Sequence, residues 1–279
     1  MTVPVLHCGR HRLTLDVPRV MGVINVTPDS FSDGGRFLDP QAAAGQALRL
    51  IEEGADIIDI GGESTRPGSD PVSEDEELAR VMPVMQALAA LPVPVSVDTR
   101  RPRVMRAVLA AGASMINDIE ALQAPGALEA VAASDCAVCL MHMQGQPGTM
   151  QHEPHYEDVV AEVAAFLAAR VAAATAAGIG RSRLVLDPGF GFGKNKAHNL
   201  ELLRRLPDLH APDIALLAGL SRKSMLGAIT GRPVGERAAA SVSAALIAVQ
   251  RGARIVRVHD VAATRDALTV WQAVEGRQA

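Results

Sequence analysis

The sequence predicts an α/β protein, a TIM (β/α)8 barrel with an N-terminal β-hairpin, formed as one domain over residues 1–279. Three observations carry this. Eight short apolar runs rich in Val, Ile, Leu and Ala recur along the chain, and each ends in polar or turn-forming residues. Each run is followed by a stretch with helical patterning, the alternation of βαβ units and a parallel sheet. No linker or low-complexity spacer interrupts the 279 residues, a length at which such barrels form single domains. An open doubly wound sheet is the alternative, but no G-x-G-x-x-G follows the first strand of the alternation.

Taken in order, residues 3–7 and 11–15 read as hairpin strands turning at Cys8, Gly9 and Arg10. The first barrel strand is 20–24, an unbroken apolar run. The others are 55–62, 93–99, 114–119, 137–142, 183–189, 215–223 and 253–260. Helices are expected at 40–53, 74–90, 102–111, 124–133, 157–177, 197–206 and 236–250, with 261–274 closing the chain. Asp39 and Pro40 supply an N-cap and a proline at the first helical position. Ser73 with Glu76 has capping-box spacing, and Gly54, Gly112 and Gly178 stand where C-caps belong.

Composition excludes several function classes. A formal charge of -4 argues against an overall basic nucleic-acid binder, so no nucleic-acid partner is expected. The apolar stretch 159–177 carries Glu162 and Arg170, which makes it a helix of the barrel rather than a membrane span. The N-terminus lacks a basic-then-apolar signal pattern, so a cytoplasmic location is expected. Three cysteines fit a reducing compartment. Cys136 and Cys139 have C-x-x-C spacing, but with no second pair and an apolar continuation they read as packing thiols.

On this fold, chemistry sits where strands end and loops begin. The strand ends form a polar series: Asn25, then Glu63 to Arg66, Asp98, Asn117 with Asp118, His142, Asp187, Ser221 to Lys223, and Arg257 with His259. Thr99 and Asp118 can be explained as helix or turn caps alone; so many polar ends together point to a site. Phe31 stands alone among Asp29, Ser30, Ser32 and Asp33. A large apolar residue in a polar loop is expected to serve as a lid over something bound.

Seven stretches carry a family resemblance: NVTPDSFSDGG from Asn25, GGESTRPG from Gly61, SVDT from Ser96, NDI from Asn117, LDPGFGFGK from Leu186, SRK from Ser221 and RVHD from Arg257. In this order, from Val20 to Asp260, they resemble dihydropteroate synthases. The resemblance implies condensation of 6-hydroxymethyl-7,8-dihydropterin diphosphate with 4-aminobenzoate to give 7,8-dihydropteroate and diphosphate. It assigns the pterin to Asp98, Asn117, Asp187 and Lys223, and the diphosphate to Asn25, Thr65, Arg257 and His259. It places 4-aminobenzoate among Thr65, Arg66, Pro67, Gly191, Phe192, Ser221 and Lys223. Asp98, Lys223, Asn25, Phe31 and Asp33 form the implied catalytic set, with Mg2+ as cofactor held by Asn25. Sulfonamides are expected as inhibitors and a homodimer as the assembly.

Elementary chemistry supports these roles. A carboxylate accepts two parallel hydrogen bonds from a pterin donor edge, and an arginine fork suits phosphate oxygens. The implied reaction is dissociative: diphosphate leaves, Asp98 holds the resulting methylene cation, and the neutral arylamine attacks. Loops 25–36 and 63–72 are expected to exclude water. The glycine pattern from Gly189 to Lys194 looks like a phosphate loop but lacks Walker spacing, and tight turns that place Phe192 explain it better. A non-catalytic pterin-binding paralogue, a pterin-dependent methyltransferase and an aldolase using Lys223 are the competing functions.

Overall fold

The computed structural model of the chain describes residues 5–26, 40–63 and 72–276. Strands β1 (Val5–Cys8) and β2 (His11–Thr14) pair antiparallel across a two-residue turn, where Gly9 has φ 56°. Eight parallel strands follow: β3 (Arg19–Asn25), β4 (Ile57–Gly61), β5 (Val95–Asp98), β6 (Met115–Asp118), β7 (Ala137–Met141), β8 (Leu184–Asp187), β9 (Ala215–Ala218) and β10 (Ile255–Val258). Each pairs with the next, and β10 returns to β3, so the sheet closes into the expected barrel.

Residues alternate between two environments along each strand, as the period of two requires. Ile58, Ile60, Val97, Ile116, Val138, Leu140, Leu184, Leu186, Leu216 and Val256 join the core shared with the helices. The other parity faces inward. Its lower layer is apolar, with Met21, Ile57, Met115, Ala137, Val185, Ala215 and Ile255 packed together. Leu6, Cys8 and Leu15 join that layer, so the hairpin plugs the N-terminal end of the barrel. Each of those leucines contributes about 2 kcal/mol when buried. Above it the same inward columns turn polar: Asp59, Ser96 with Asp98, Asn117, Asp187 and Arg257. In β4, β5, β6, β8 and β10, runs that read as apolar on both faces therefore carry a polar inward residue at or near their ends.

The helices are α1 (Pro40–Glu52), α2 (Glu74–Leu88), α3 (Pro102–Ala110), α4 (Ala127–Ala132), α5 (Val159–Ala176), α6 (Lys196–Arg204), α7 (Ser224–Thr230), α8 (Ala238–Gln250) and α9 (Val261–Val274). Ser73 caps α2 by accepting from the Glu76 N–H at 3.2 Å. Gly54, Gly112 and Gly178 have φ of 99°, 100° and 89° after α1, α3 and α5, as C-cap glycines do. Asp39 and residues 3 and 4 lie outside the described residues. Helix α5 has the length and composition of a membrane span. It nevertheless buries Val160, Val163, Leu167, Val171 and Ala174 against the barrel, and Arg170 donates to the carbonyls of Ala121 and Leu122.

Several boundaries differ from expectation. The strand expected at 215–223 stops at Ala218, and seven-residue helix α7 follows the loop after it. Helix α7 escapes pattern reading because it is short and carries Gly227, whose added Cβ would meet the Arg237 guanidinium at 2.2 Å. The helix expected from 236 starts at Ala238, after a 3-10 turn at Val234–Glu236. Helix α4 is shorter than 124–133 because Gly126 enters it at φ 89°.

Candidate active site at the C-terminal mouth of the barrel

The inward polar columns converge on one mouth. Asp98 ends β5, in register with Gly61 of β4 and Asn117 of β6. Asp187 ends β8, where it is 5% exposed, and its Oδ1 accepts from the Gly189 N–H at 2.7 Å. Gly219, one residue past β9, separates the other Asp187 oxygen from Arg257; a Cβ there would lie 3.9 Å from each. Asn117 is buried, and its Oδ1 has no hydrogen-bond partner among the described residues. An amide oxygen and a carboxylate oxygen thus stand at the ends of inward columns of the barrel, both acceptors suited to a donor edge.

Arg257 rises from the inward column of β10. Its Nε donates to Asp59 at 2.7 Å and its Nη2 to Asp98 at 3.2 Å. Two of its five N–H donors are therefore committed to carboxylates of the barrel. Burial works against the Arg257 charge, but Asp59, Asp98 and Asp187 hold its pKa above the ordinary value. Asp98 is pushed up to about 7, chiefly by burial and further by Asp59, against the pull of Arg257. Burial likewise raises Asp187, while its Gly189 bond and Lys223 oppose the shift. Asp118 also rises to about 7 through burial, but its two oxygens accept from the N–H groups of Glu120 and Leu122. It is a turn anchor, as its neighbour Thr99 is to the Arg101 N–H.

The second wall comes from the β8–α6 loop and the segment after β9. Lys223 Nζ lies 4.0 Å from the centre of the Phe192 ring, a cation–π contact. Gly191 admits this approach, since a Cβ there would lie 3.0 Å from Lys223 Cδ. Burial lowers Lys223 to about 8, against the attraction of Asp187 and Asp98. Arg222, between Ser221 and Lys223, has φ 58° and is bound to Asp260 by two hydrogen bonds of 3.2 and 2.6 Å. That bridge ties the loop before α7 to the start of α9. The Ser221 hydroxyl, expected to face a substrate carboxylate, is turned to His259: it accepts the His259 N–H at 3.2 Å and lies 2.9 Å from Nδ1. Ser221 and His259 are therefore hydrogen-bonded neighbours at the mouth.

Asn25 ends β3 in register with Gly61, at the same mouth. Phe31, Asp33, Thr65, Arg66 and Pro67 lie outside the described residues, as do most of the two loops expected to close. No cluster of three or more His, Cys, Asp and Glu side chains suited to a metal occurs among the described residues. A cation such as Mg2+, which keeps several waters and takes oxygen ligands, fits the single amide oxygen of Asn25 beside a phosphate better than a protein cage. Cys8, Cys136 and Cys139 are buried free thiols.

Three features of the site escaped sequence reading. Asp59 was visible only as one charge inside the run Ile57–Gly61, a signal strong enough to have been used. Ser96, buried and without a partner among the described residues, lies below Asp98 on the same face. Lys194 is buried beneath the glycine-rich loop, where it bonds to loop carbonyls and the His142 ring.

Residues 21–259 match the family model of pterin binding enzymes, a span running from β3 to the Arg257–His259 end of the site. The chain belongs to the pterin-binding enzyme family. The dihydropteroate synthase of Neisseria meningitidis serogroup B is 54% identical over 277 residues, covering 97% of each chain. The structure is similar to that of Xanthomonas albilineans dihydropteroate synthase with 4-aminobenzoic acid, with a TM-score of 0.92 and 58% identity over 98% of this chain and 99% of that one. Yersinia pestis dihydropteroate synthase with a sulfonamide drug complex gives a TM-score of 0.93 at 50% identity, covering 98% and 99%.

Proposed function

We infer that the mouth catalyses the dihydropteroate synthase reaction, joining 6-hydroxymethyl-7,8-dihydropterin diphosphate to 4-aminobenzoate. The observation that carries this is the convergence at one barrel mouth of a buried amide oxygen unpartnered among the described residues, two inward carboxylates and Lys223, in a chain so similar to known dihydropteroate synthases. The free oxygen of Asp187 accepts from the pterin donor edge, Asn117 extends that edge, and Lys223 donates to the carbonyl side. In the committed step the methylene C–O bond breaks and diphosphate leaves with the electron pair. Asp98 stabilises the positive charge spreading into the pterin. The arylamine lone pair then forms the C–N bond and its proton passes to solvent. Asn25 would hold Mg2+ bound with the diphosphate, and the ion would supply charge neutralisation of the leaving group. Arg257, His259 and Thr65 complete the diphosphate subsite.

Thr65, Arg66, Pro67, Gly191, Phe192, Ser221 and Lys223 define the arylamine subsite, where a sulfonamide presents the same aryl amine. Asp33 and the Phe31 lid complete the catalytic set by excluding water. The protein acts as a cytoplasmic homodimer. Its buried free thiols support the location, and exposed Ile229, Val234, Ile247, Val270 and Val274 on and beside the adjacent helices α7, α8 and α9 support the assembly. One assay tests the reaction: purified protein with pterin diphosphate, labelled 4-aminobenzoate and Mg2+, with and without EDTA. Labelled dihydropteroate only in the EDTA-free arm is expected; no product in either arm refutes the activity. Sulfonamide inhibition that 4-aminobenzoate does not relieve refutes the shared subsite.

A further inference from the structure

The loop carrying Phe192 contains Gly189, Gly191 and Gly193 at φ of 68°, 79° and 63°. It is packed without slack. A Cβ on Gly189 would lie 1.9 Å from the His142 carbonyl oxygen, and one on Gly193 2.4 Å from that of Gln144. Its backbone groups all require partners, because a buried unpaired carbonyl costs about as much as a lost hydrogen bond. Asn199 takes the Gly191 N–H at 2.7 Å, and the Tyr156 hydroxyl donates to the Gly193 carbonyl at 2.9 Å. Gln151 donates to the Gly191 carbonyl and the Phe192 N–H to that of Gly189, while a further set of acceptors converges on one nitrogen. Lys194 Nζ, in a side chain 2% exposed, lies 3.0 Å from the Gly189 oxygen, 2.9 Å from the Phe192 oxygen and 2.9 Å from His142 Nδ1. The His142 carbonyl follows at 3.3 Å.

Three close acceptors match the three hydrogens of an ammonium. The contact with Nδ1 requires a lone pair there and so places the imidazole proton on Nε2. Burial and the Lys194 charge keep His142 neutral, with its pKa lowered to about 3. The ring is fixed in turn by Phe166, edge-on at 4.9 Å. No carboxylate bonds to Lys194 among the described residues, and burial lowers its pKa to about 7 against the attraction of Asp187, so these acceptors are what hold its ammonium form. A buried ammonium serving backbone carbonyls on both sides of Phe192 is placed to set the angle of that residue, which neither a surface cation nor a phosphate ligand could do.

We propose that Lys194 is a positioning residue for the arylamine subsite: it clamps the carbonyls of Gly189 and Phe192 to the end of β7 and so holds the Phe192 ring against Lys223. This rests on the dihydropteroate synthase reading and deepens it. The glycine-rich stretch is then a clamp around a lysine, and the phosphate-loop likeness follows from the shared need for close backbone approach. Asp187 also touches the loop through Gly189, but it makes no hydrogen bond to Lys194, whose charge acts on it less than burial, the Gly189 bond and Lys223 do. The pterin half of the site should therefore be spared.

The test measures KM for each substrate in wild type, Lys194→Met, Lys194→Arg, Phe192→Ala and the Lys194→Met/Phe192→Ala double variant. For Lys194→Met, KM for 4-aminobenzoate should rise at least tenfold while KM for pterin diphosphate changes less than twofold. Lys194→Arg, which keeps the cation, should recover part of the loss. In the Phe192→Ala background, Lys194→Met should add less than twofold, because the residue acts through that ring. Equal losses for both substrates, or effects that multiply in the double variant, overturn the proposal. If Lys194→Met does not fold, Tyr156→Phe takes its place. It releases the Gly193 carbonyl of the same loop and should raise KM for 4-aminobenzoate alone; an unchanged value overturns the clamp. Wild-type protein that makes no dihydropteroate sinks the underlying reaction instead.

Discussion

Asp98→Asn should make the protein more stable at pH 8 and nearly inactive. Asp98 ends β5 in the barrel mouth, with Arg257 at 3.2 Å and Asp59 bonded to the same guanidinium. Burial, with a contribution from Asp59, outweighs Arg257 and raises its pKa from 3.8 to about 7. A folded-state pKa above the unfolded one means that stability is fully present below about 3.8 and is lost as pH rises toward 7. About three pKa units correspond to roughly 4 kcal/mol. Water reaching the open mouth screens the charges, so a gain of about 2 kcal/mol is expected from the neutral amide, which is roughly 4–8 °C in Tm. Thermal unfolding of both proteins from pH 5 to pH 8 measures it. The Tm difference should grow from pH 5 to pH 7 and then level off. Turnover should fall by about a hundredfold if an anion aimed at the developing cation is lost. A variant less stable than wild type at pH 8, or a Tm difference that ignores pH, would refute the claim that this carboxylate is held charged against its environment.

Three further outcomes can be checked. Asp187→Asn should weaken pterin binding by about 2 kcal/mol, because an amide nitrogen then faces pterin donors; calorimetric titration with the pterin alone measures this, and unchanged affinity removes Asp187 from the site. Gly189→Ala should cost roughly 3 kcal/mol of stability, combining left-handed strain with a clash against a carbonyl oxygen; chemical denaturation at constant m reads the loss, and a change below 0.5 kcal/mol would mean the loop relaxes freely. The three thiols should resist alkylation at pH 8 until the protein unfolds, since burial pushes Cys8 up to about 12 and Cys139 well above the ordinary thiol; labelling of native protein would contradict their burial.

Much of the architecture is local and was readable in one dimension. Pro40 opens α1, Ser73 caps α2 and Gly54, Gly112 and Gly178 end their helices, because caps and left-handed termini are decided by a few neighbouring residues. The strand ends were legible for the same reason: Asn25, Asp98, Asn117 and Asp187 each follow an apolar run and stop it. What those ends do to one another was not legible. Arg257 meets Asp59 across 198 residues of chain, and Lys194 meets His142 across 52. Neither pairing leaves a periodic or spacing signal, because it exists only once the barrel closes and brings distant columns together. Inward parity decided that Arg257 would be shared between two aspartates, and closure decided that Ser221 would turn to His259. Local sequence determined where the functional groups stand along the chain. The tertiary structure decided their charges and their partners, since both depend on burial and on neighbours that only closure supplies.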